Sequence, residues 1–249
     1  MGASSPEEID VPSPENQGFS TYTERFFEVH PELLDVFDEA FIEELTTYWQ
    51  NSVRDEFDEP LTPEEEADEI QKALMREMGF LAKVYGSGAY MAEHFPGTVT
   101  MLFDVDNTLR EPGKDMARPA FRKAVELLDQ RFGERLEVGL LTTIRLGELD
   151  LKRGGPVYLD QVRHKTNPDY FICSGEYAID QPEDSALSGW DNKGLIVEDL
   201  AHRDLERTFV LVDDLKMSQR PSPANPRVMC VAVTNEIHND LWRQAALAA

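Results

Sequence analysis

The stretch Thr98-Val99-Thr100-Met101-Leu102-Phe103-Asp104-Val105-Asp106-Asn107-Thr108-Leu109 runs from apolar residues straight into two carboxylates. An apolar run of this kind predicts a buried strand over residues 98–105. The acids then stand where a parallel strand emits its chain into a ligand crevice, and charges are seldom structural there. Asp104 and Asp106 are two residues apart, so on an ideal strand their side chains share a face. A bend after Asp104 would re-aim the second.

Downstream of this stretch, short apolar runs alternate with helical segments. Strands are predicted over residues 137–141, 170–173, 208–212 and 228–233, and helices over 118–132, 196–205 and 236–247. Such alternation indicates an α/β fold with a doubly wound, mainly parallel sheet. Upstream, Leu33, Leu34, Phe37, Phe41, Ile42, Leu45 and Trp49 recur at helical spacing among acids, which predicts amphipathic helices. Thr62-Pro63-Glu64-Glu65 marks a helix start, with Thr as N-cap, Pro in the first turn and carboxylates at the positive end of the dipole. Its apolar stripe continues through Ile70, Leu74, Met78 and Leu81. Gly86-Ser87-Gly88 lacks the lysine and the spacing of a phosphate-binding loop and reads as a turn. The domain plan is a flexible acidic tail over 1–20, a helical region over 21–97 and an α/β catalytic domain over 98–249. The helical region is expected to cover one sheet face, with a lid over the site as the alternative.

The 249 residues include 24 Lys+Arg against 48 Asp+Glu, a formal charge of -24, and the sequence pI is about 4.5. At 41% hydrophobic content the chain can still fill a core. Up to Phe95 there are 23 acidic and 5 basic side chains, a net of -18, which leaves -6 for the remainder. Such a field repels a phosphate backbone and an anionic membrane surface alike, and no basic stripe interleaved with aromatics offsets it. Nucleic acid and membrane partners are therefore disfavoured. Cys173 and Cys230 sit inside apolar runs, where a thiol packs as a small hydrophobe and no disulfide framework is indicated. The five histidines, at 30, 94, 164, 202 and 238, show no paired ligand spacing and read as surface or packing residues. The opening residues lack the cationic head and apolar stretch of a secretory signal, and no window is long enough to cross a bilayer. A reducing cytoplasm is the expected location.

A second strand end, Phe209-Val210-Leu211-Val212-Asp213-Asp214, repeats the abrupt passage from apolar to acidic. If the two ends meet, Asp104, Asp106, Asp213 and Asp214 repel one another until a cation joins them, and all-oxygen ligation favours Mg2+ over a metal that prefers soft ligands. Between them, Glu137-Val138-Gly139-Leu140-Leu141-Thr142-Thr143 ends a third run in hydroxyls able to hold a phosphoryl oxygen, although a strand-end Thr is otherwise a cap or turn residue. Lys193 lies 20 residues before Asp213, ahead of a helix, where it would balance the carboxylates and neutralise a substrate phosphate. Lys152 and Lys165 compete for that role. Arg145, Lys114 and Arg118 are further cations within reach of a substrate anion.

In this order, Asp104, Asp106 and Thr108, then Thr142, then Lys193, then Asp213 with Asp214, the chain resembles the haloacid dehalogenase (HAD) superfamily of phosphohydrolases over residues 98–235. A response-regulator receiver domain uses the same residue types but carries its acidic pair first. The resemblance implies a Rossmann-like core and a phosphatase reaction on a phosphorylated small molecule or phosphoprotein. Asp104 would attack phosphorus and form an aspartyl phosphate, while Asp106 serves as acid and then as base. Mg2+ would be held by Asp104, the carbonyl of Asp106 and one of Asp213 or Asp214, while Thr142 and Lys193 grip the transferred oxygens. Thr108 would order the turn after the nucleophile. From Asp104 to Thr142 is 38 residues and from Thr142 to Lys193 is 51, which leaves little room for an inserted cap. Residues 203–214 are similar to the last motif region of the capless RNA polymerase C-terminal-domain phosphatases, with Asn107 standing where those carry Glu. Two alternatives accompany this reading: a nucleotidase or nucleic-acid-end phosphatase on the same scaffold, and a non-enzymatic interaction protein acting through the acidic helical region.

Overall fold

The computed structural model describes residues 36, 38–52, 60–110, 115–145, 147, 156–177, 193–214 and 225–233. Strands β1 (Thr98–Phe103), β2 (Leu136–Thr142), β3 (Thr166–Cys173), β4 (Arg207–Asp213) and β5 (Val228–Ala232) form one sheet in the order β3-β2-β1-β4-β5. Every neighbouring pair is parallel. Helices α1 (Glu39–Ser52), α2 (Pro63–His94), α3 (Pro119–Phe132) and α4 (Lys193–Arg203) accompany it, with 3-10 segments at Gly133–Arg135 and Val157–Lys165. The architecture is the doubly wound α/β fold that the alternating pattern implies.

From β1 the chain steps outward to β2 and β3, then returns past β1 to β4 and β5. Crossovers between parallel strands are right-handed, so reversing the direction of travel puts α3 on one face of the sheet and α4 on the other. Side-chain parity follows from this. Val99, Met101, Phe103, Val210 and Val212 join α2 and α3 in one core, whereas Leu102, Phe209 and Leu211 pack with Ile196, Val197 and Ala201 of α4. The reversal also makes β1 and β4 neighbours, and the crevice at their carboxyl ends is where sheets of this kind take ligands.

All five strands fall where the apolar runs predict them, with shifts at their ends. β3 starts four residues ahead of the expected position and contains Pro168, which a sheet edge tolerates because that strand has only one partner to satisfy. β1 stops at Phe103, two residues early, where the chain bends away. The tail, the closing helix expected over 236–247, and Leu33, Leu34 and Phe37 lie outside the described residues. Cys173 and Cys230 are buried and unpaired. Among the described residues no helix is long and apolar enough to cross a membrane.

The largest departure from the sequence reading is in α2, which runs 32 residues, straight through Gly86-Ser87-Gly88. Those three residues are helix and not a turn. A Cβ on Gly88 would stand 2.7 Å from Leu128 Cδ1 of α3, so glycine there lets the two helices approach. The Ser87 hydroxyl donates back to the Lys83 carbonyl at 2.5 Å and stays satisfied inside the helix. The start of α2 matches expectation. Thr62 Oγ1 accepts from the Glu65 N–H at 3.3 Å while the Thr62 N–H donates to the Glu65 carboxylate at 2.9 Å, a reciprocal capping box. At the far end Arg135 donates to the carbonyls of Ala92, Phe95 and Gly97, which closes the last turn. Gly97 then turns the chain into β1 at a φ of 95°, where a Cβ would lie 2.1 Å from the Glu206 carbonyl oxygen.

α2 lies against β1, β4 and β5, and Lys83 donates to the Ala232 carbonyl at 3.0 Å. Phe80, Leu81 and Val84 share one apolar cluster with the strands, and Phe41 and Leu45 of α1 extend it. The helical region thus takes the covering place on this face. It is anchored by an ion pair, Arg118 to Glu77 at 2.6 Å, with the guanidinium 4.7 Å over the Phe80 ring. Both side chains are about nine-tenths buried. Removing one partner of a buried pair leaves the other uncompensated, at a cost of about 3 kcal/mol or more. Glu77→Ala should therefore lower the unfolding free energy by that amount, read in urea as a lower midpoint with an unchanged slope. An unaltered midpoint would show that this pair is not an anchor.

Candidate functional site

β1 and β4 pair as far as Phe103 opposite Val212, and the Asp104 N–H continues the ladder to the Val212 carbonyl at 2.9 Å. Asp104 and Asp213, the next residue on each chain, therefore emerge side by side. Ligand oxygens of Asp104, Asp213 and Asp214 all lie within 4.8 Å of one another. The ammonium of Lys193, the first residue of α4, stands between two of them, 3.0 Å from Asp104 Oδ1 and 2.6 Å from Asp213 Oδ2.

Lys193 is 1% exposed and Asp213 is 0% exposed. At an effective dielectric constant of about 20, charges 4 Å apart attract by about 4 kcal/mol. Desolvating one ion costs several kcal/mol. A single carboxylate would leave the buried ammonium near break-even, and the second is what secures it. Burial alone would lower the Lys193 pKa, but the charges of Asp213 and Asp104 outweigh it and hold the pKa above its ordinary value. Asp104 is pushed up, first by burial and then by Asp213, against the opposing pull of Lys193. Asp214, half-buried, is pushed up to about 6 by burial, Asp213 and Asp104. Among the described residues, three carboxylates face one ammonium.

The chain bends directly after Asp104. The N–H groups of Leu109 and Arg110 both donate to the Val105 carbonyl, and Asn107 adopts a left-handed φ of 61°, which Asn tolerates better than most residues. This bend turns Asp106 off the face it would share with Asp104 on a straight strand. Its carboxylate accepts from Arg110 Nε at 3.1 Å and is not part of the three-carboxylate group. Thr108 is fully buried in the turn, with its hydroxyl unpartnered, so backbone bonds and not its side chain order this turn.

Thr142 ends β2, and Phe103 pairs with Leu140, which sets Thr142 just beyond the level of Asp104 at the same edge of the sheet. Its hydroxyl accepts from the Ile144 N–H at 3.3 Å, the turn-forming role open to any strand-end Thr, and keeps its own proton to donate. Of the competing lysines, Lys165 is bound 2.6 Å from Asp129, and Lys152 lies outside the described residues. Arg118 is engaged by Glu77, Arg145 is exposed, and Lys114 is outside the described residues. His94 stacks on Tyr90 and His164 pairs with Asp129, in keeping with packing and surface roles.

Two residues that the sequence reading passed over stand beside the cluster. Arg110 could have been noticed from its spacing four residues after Asp106, the distance at which a turn brings side chains together. Tyr158 gives no local signal. It comes from the 3-10 segment at Val157–Lys165, and its ring lies 4.9 Å beneath the Arg110 guanidinium.

The donor set suits a hard divalent cation. It consists of oxygens from two adjacent strand ends, it carries two negative charges beyond what Lys193 neutralises, and it includes no sulfur or imidazole. No protein-family model, no curated protein and no solved structure matches the chain.

The raised Asp214 carboxyl makes stability depend on pH in a defined direction. It titrates near 3.8 when unperturbed and about 6 in the folded protein, so the folded state binds that proton more tightly. The stability it contributes is complete below the lower value and is lost as pH rises through the higher one. Without divalent cation, the thermal midpoint of the unmodified protein should fall relative to Asp214→Asn as pH rises from about 4 to about 7. Added Mg2+ should raise the midpoint of the unmodified protein more at about pH 7.5 than at about pH 5, because the cation competes with that proton. Equal shifts at the two pH values would count against cation binding at Asp214.

Proposed function

We propose that the protein is a Mg2+-dependent phosphatase that hydrolyses phosphomonoesters through an aspartyl phosphate on Asp104. The observation that carries this reading is the meeting of Asp104, Asp213, Asp214 and Lys193 where the strand order reverses. The order of the same residues along the chain, shared with the haloacid dehalogenase superfamily, supports it from the sequence side.

The Asp104 carboxylate attacks phosphorus, and the bond from phosphorus to the ester oxygen breaks with its electron pair going to that oxygen. Asp106 gives the leaving oxygen a proton, so the alcohol departs neutral. Asp106 then takes a proton from water as the water oxygen attacks phosphorus, which releases inorganic phosphate and regenerates the Asp104 carboxylate. Lys193, fixed by Asp213, stabilises the charge on the transferred oxygens, and Thr142 donates to one of them. Asp104, the Asp106 carbonyl and Asp213 or Asp214 would hold Mg2+, whose charge would let one anion approach another.

Residues 104–118, between β1 and α3, and residues 143–156, between β2 and the 3-10 segment at Val157–Lys165, are too few for a capping domain. An uncapped site of this kind takes phosphorylated small molecules or phosphoproteins. The net charge of -24 disfavours a nucleic-acid substrate. The two unpaired buried thiols suit a reducing cytoplasm.

With a chromogenic aryl phosphate and Mg2+, phosphate release should fall by about three orders of magnitude or more in Asp104→Asn. EDTA should abolish release and excess Mg2+ should restore it. Activity indifferent to both the substitution and the chelator would sink the assignment.

A further inference from the structure

Asp106 is the one carboxylate of the proposed mechanism that stands apart from the cluster. It sits on the bend after β1, with its side chain 42% exposed, and a carboxylate on such a turn can adopt several rotamers. What restrains it here is Arg110, whose Nε donates to Asp106 Oδ1 at 3.1 Å. The Arg110 side chain is only 15% exposed, whereas a second carboxylate neighbour among the described residues, Asp115, is 3.9 Å away and 92% exposed. The guanidinium carbon in turn lies over the Tyr158 ring, 4.9 Å from its centroid.

Tyr158 is well suited to hold it. The residue is 9% exposed and belongs to the main apolar cluster, and its segment packs on α3, β2 and β3. Its hydroxyl is buried and makes no hydrogen bond, so the ring and not the oxygen carries its interactions. The phenol also feels the charges of Arg110, Asp106 and Asp104, which sets it beside the first strand end.

We propose that Arg110 and Tyr158 are a positioning pair for Asp106: the Tyr158 ring seats the Arg110 guanidinium, and Arg110 fixes the Asp106 carboxylate through Oδ1. This inference rests on the phosphatase reading, in which Asp106 passes its proton to the leaving oxygen. The pair itself touches neither substrate nor metal. It acts by holding the proton donor where the departing oxygen appears, and a misplaced donor is slow even when chemically intact.

The test exploits the leaving group. An alkyl phosphate needs its oxygen protonated as the bond breaks, whereas a dinitrophenyl phosphate departs readily as the anion. Arg110→Ala should lower kcat on the alkyl phosphate by roughly tenfold to a hundredfold and change kcat on dinitrophenyl phosphate by less than about threefold. Retained turnover of the activated ester shows that the variant is folded and its nucleophile intact. Tyr158→Phe, which keeps the ring, should behave as the unmodified protein, and Tyr158→Leu should reproduce the leaving-group dependence of Arg110→Ala. Equal losses on both esters, or a larger loss in Tyr158→Phe than in Tyr158→Leu, overturn the positioning role. Failure of the unmodified protein to turn over either ester overturns the phosphatase reading on which that role depends.

Discussion

The ammonium of Lys193, buried between Asp104 and Asp213, is the interaction on which the site depends. It demands three things of the fold at once. β1 and β4 must be neighbours, so that the two acids emerge together, and the crossover from β3 must deliver the start of α4 to the same spot. The strand ends must also be dry enough for the pair to matter. All three follow from the reversal of strand order at β1. Once the ammonium is in place it neutralises one of three carboxylates, and the negative charge that remains is what the proposed divalent cation would complement.

The two ends of the sheet are built differently. At the amino end, arginines satisfy carbonyls and acids. Arg135 closes the end of α2, and Arg207 pairs with Glu137 at 3.1 Å across the strands. Arg227 donates to the carbonyls of Asp204 and Arg207 and also to that of Ala201. At the carboxyl end, among the described residues, the carboxylates of Asp104, Asp213 and Asp214 share the one ammonium of Lys193, and the hydroxyls of Thr108, Tyr158 and Ser174 have no hydrogen-bond partner. One end is satisfied, while the other keeps charge and hydrogen-bonding capacity in reserve. Such an imbalance costs stability and is the usual mark of a place where ligand is handled.

The excess of acid divides along similar lines. A few carboxylates at the strand ends have a defined electrostatic task, set by their distance from Lys193. Most of the net excess lies upstream of Phe95, where the charge is -18; among the described residues there, α1 and α2 bury one face in the apolar cluster and leave Glu39, Glu43, Glu64, Glu65 and Asp68 exposed. Two basic residues of α3 act as ties, Arg122 to Glu44 and Arg131 to Glu93, each joining an upstream helix to the α/β layer. The helical region is thus bound to the sheet by charge as well as by apolar packing.

Local pattern was enough to place the strands, because a buried parallel strand must be apolar and must end abruptly where the chain meets solvent. It was enough also for the Thr62 cap and for the acids at two strand ends. It misread Gly86-Ser87-Gly88, since glycine is a breaker by propensity and its value as a spacer against Leu128 exists only once α2 and α3 pack. Nor could pattern choose Lys193 over Lys152 and Lys165. All three precede Asp213, and what separates Lys193 from Lys165 is which carboxylate the fold sets beside it. The bend that carries Asp106 away from Asp104, and the arrival of Tyr158 under Arg110, were likewise decided in three dimensions. Asp106 and Tyr158 are 52 residues apart, and no local preference relates them. The order of elements and the identity of the acids belong to the sequence. The partner of each charge was decided by the tertiary structure, because partnership depends on distance and burial, which packing alone creates.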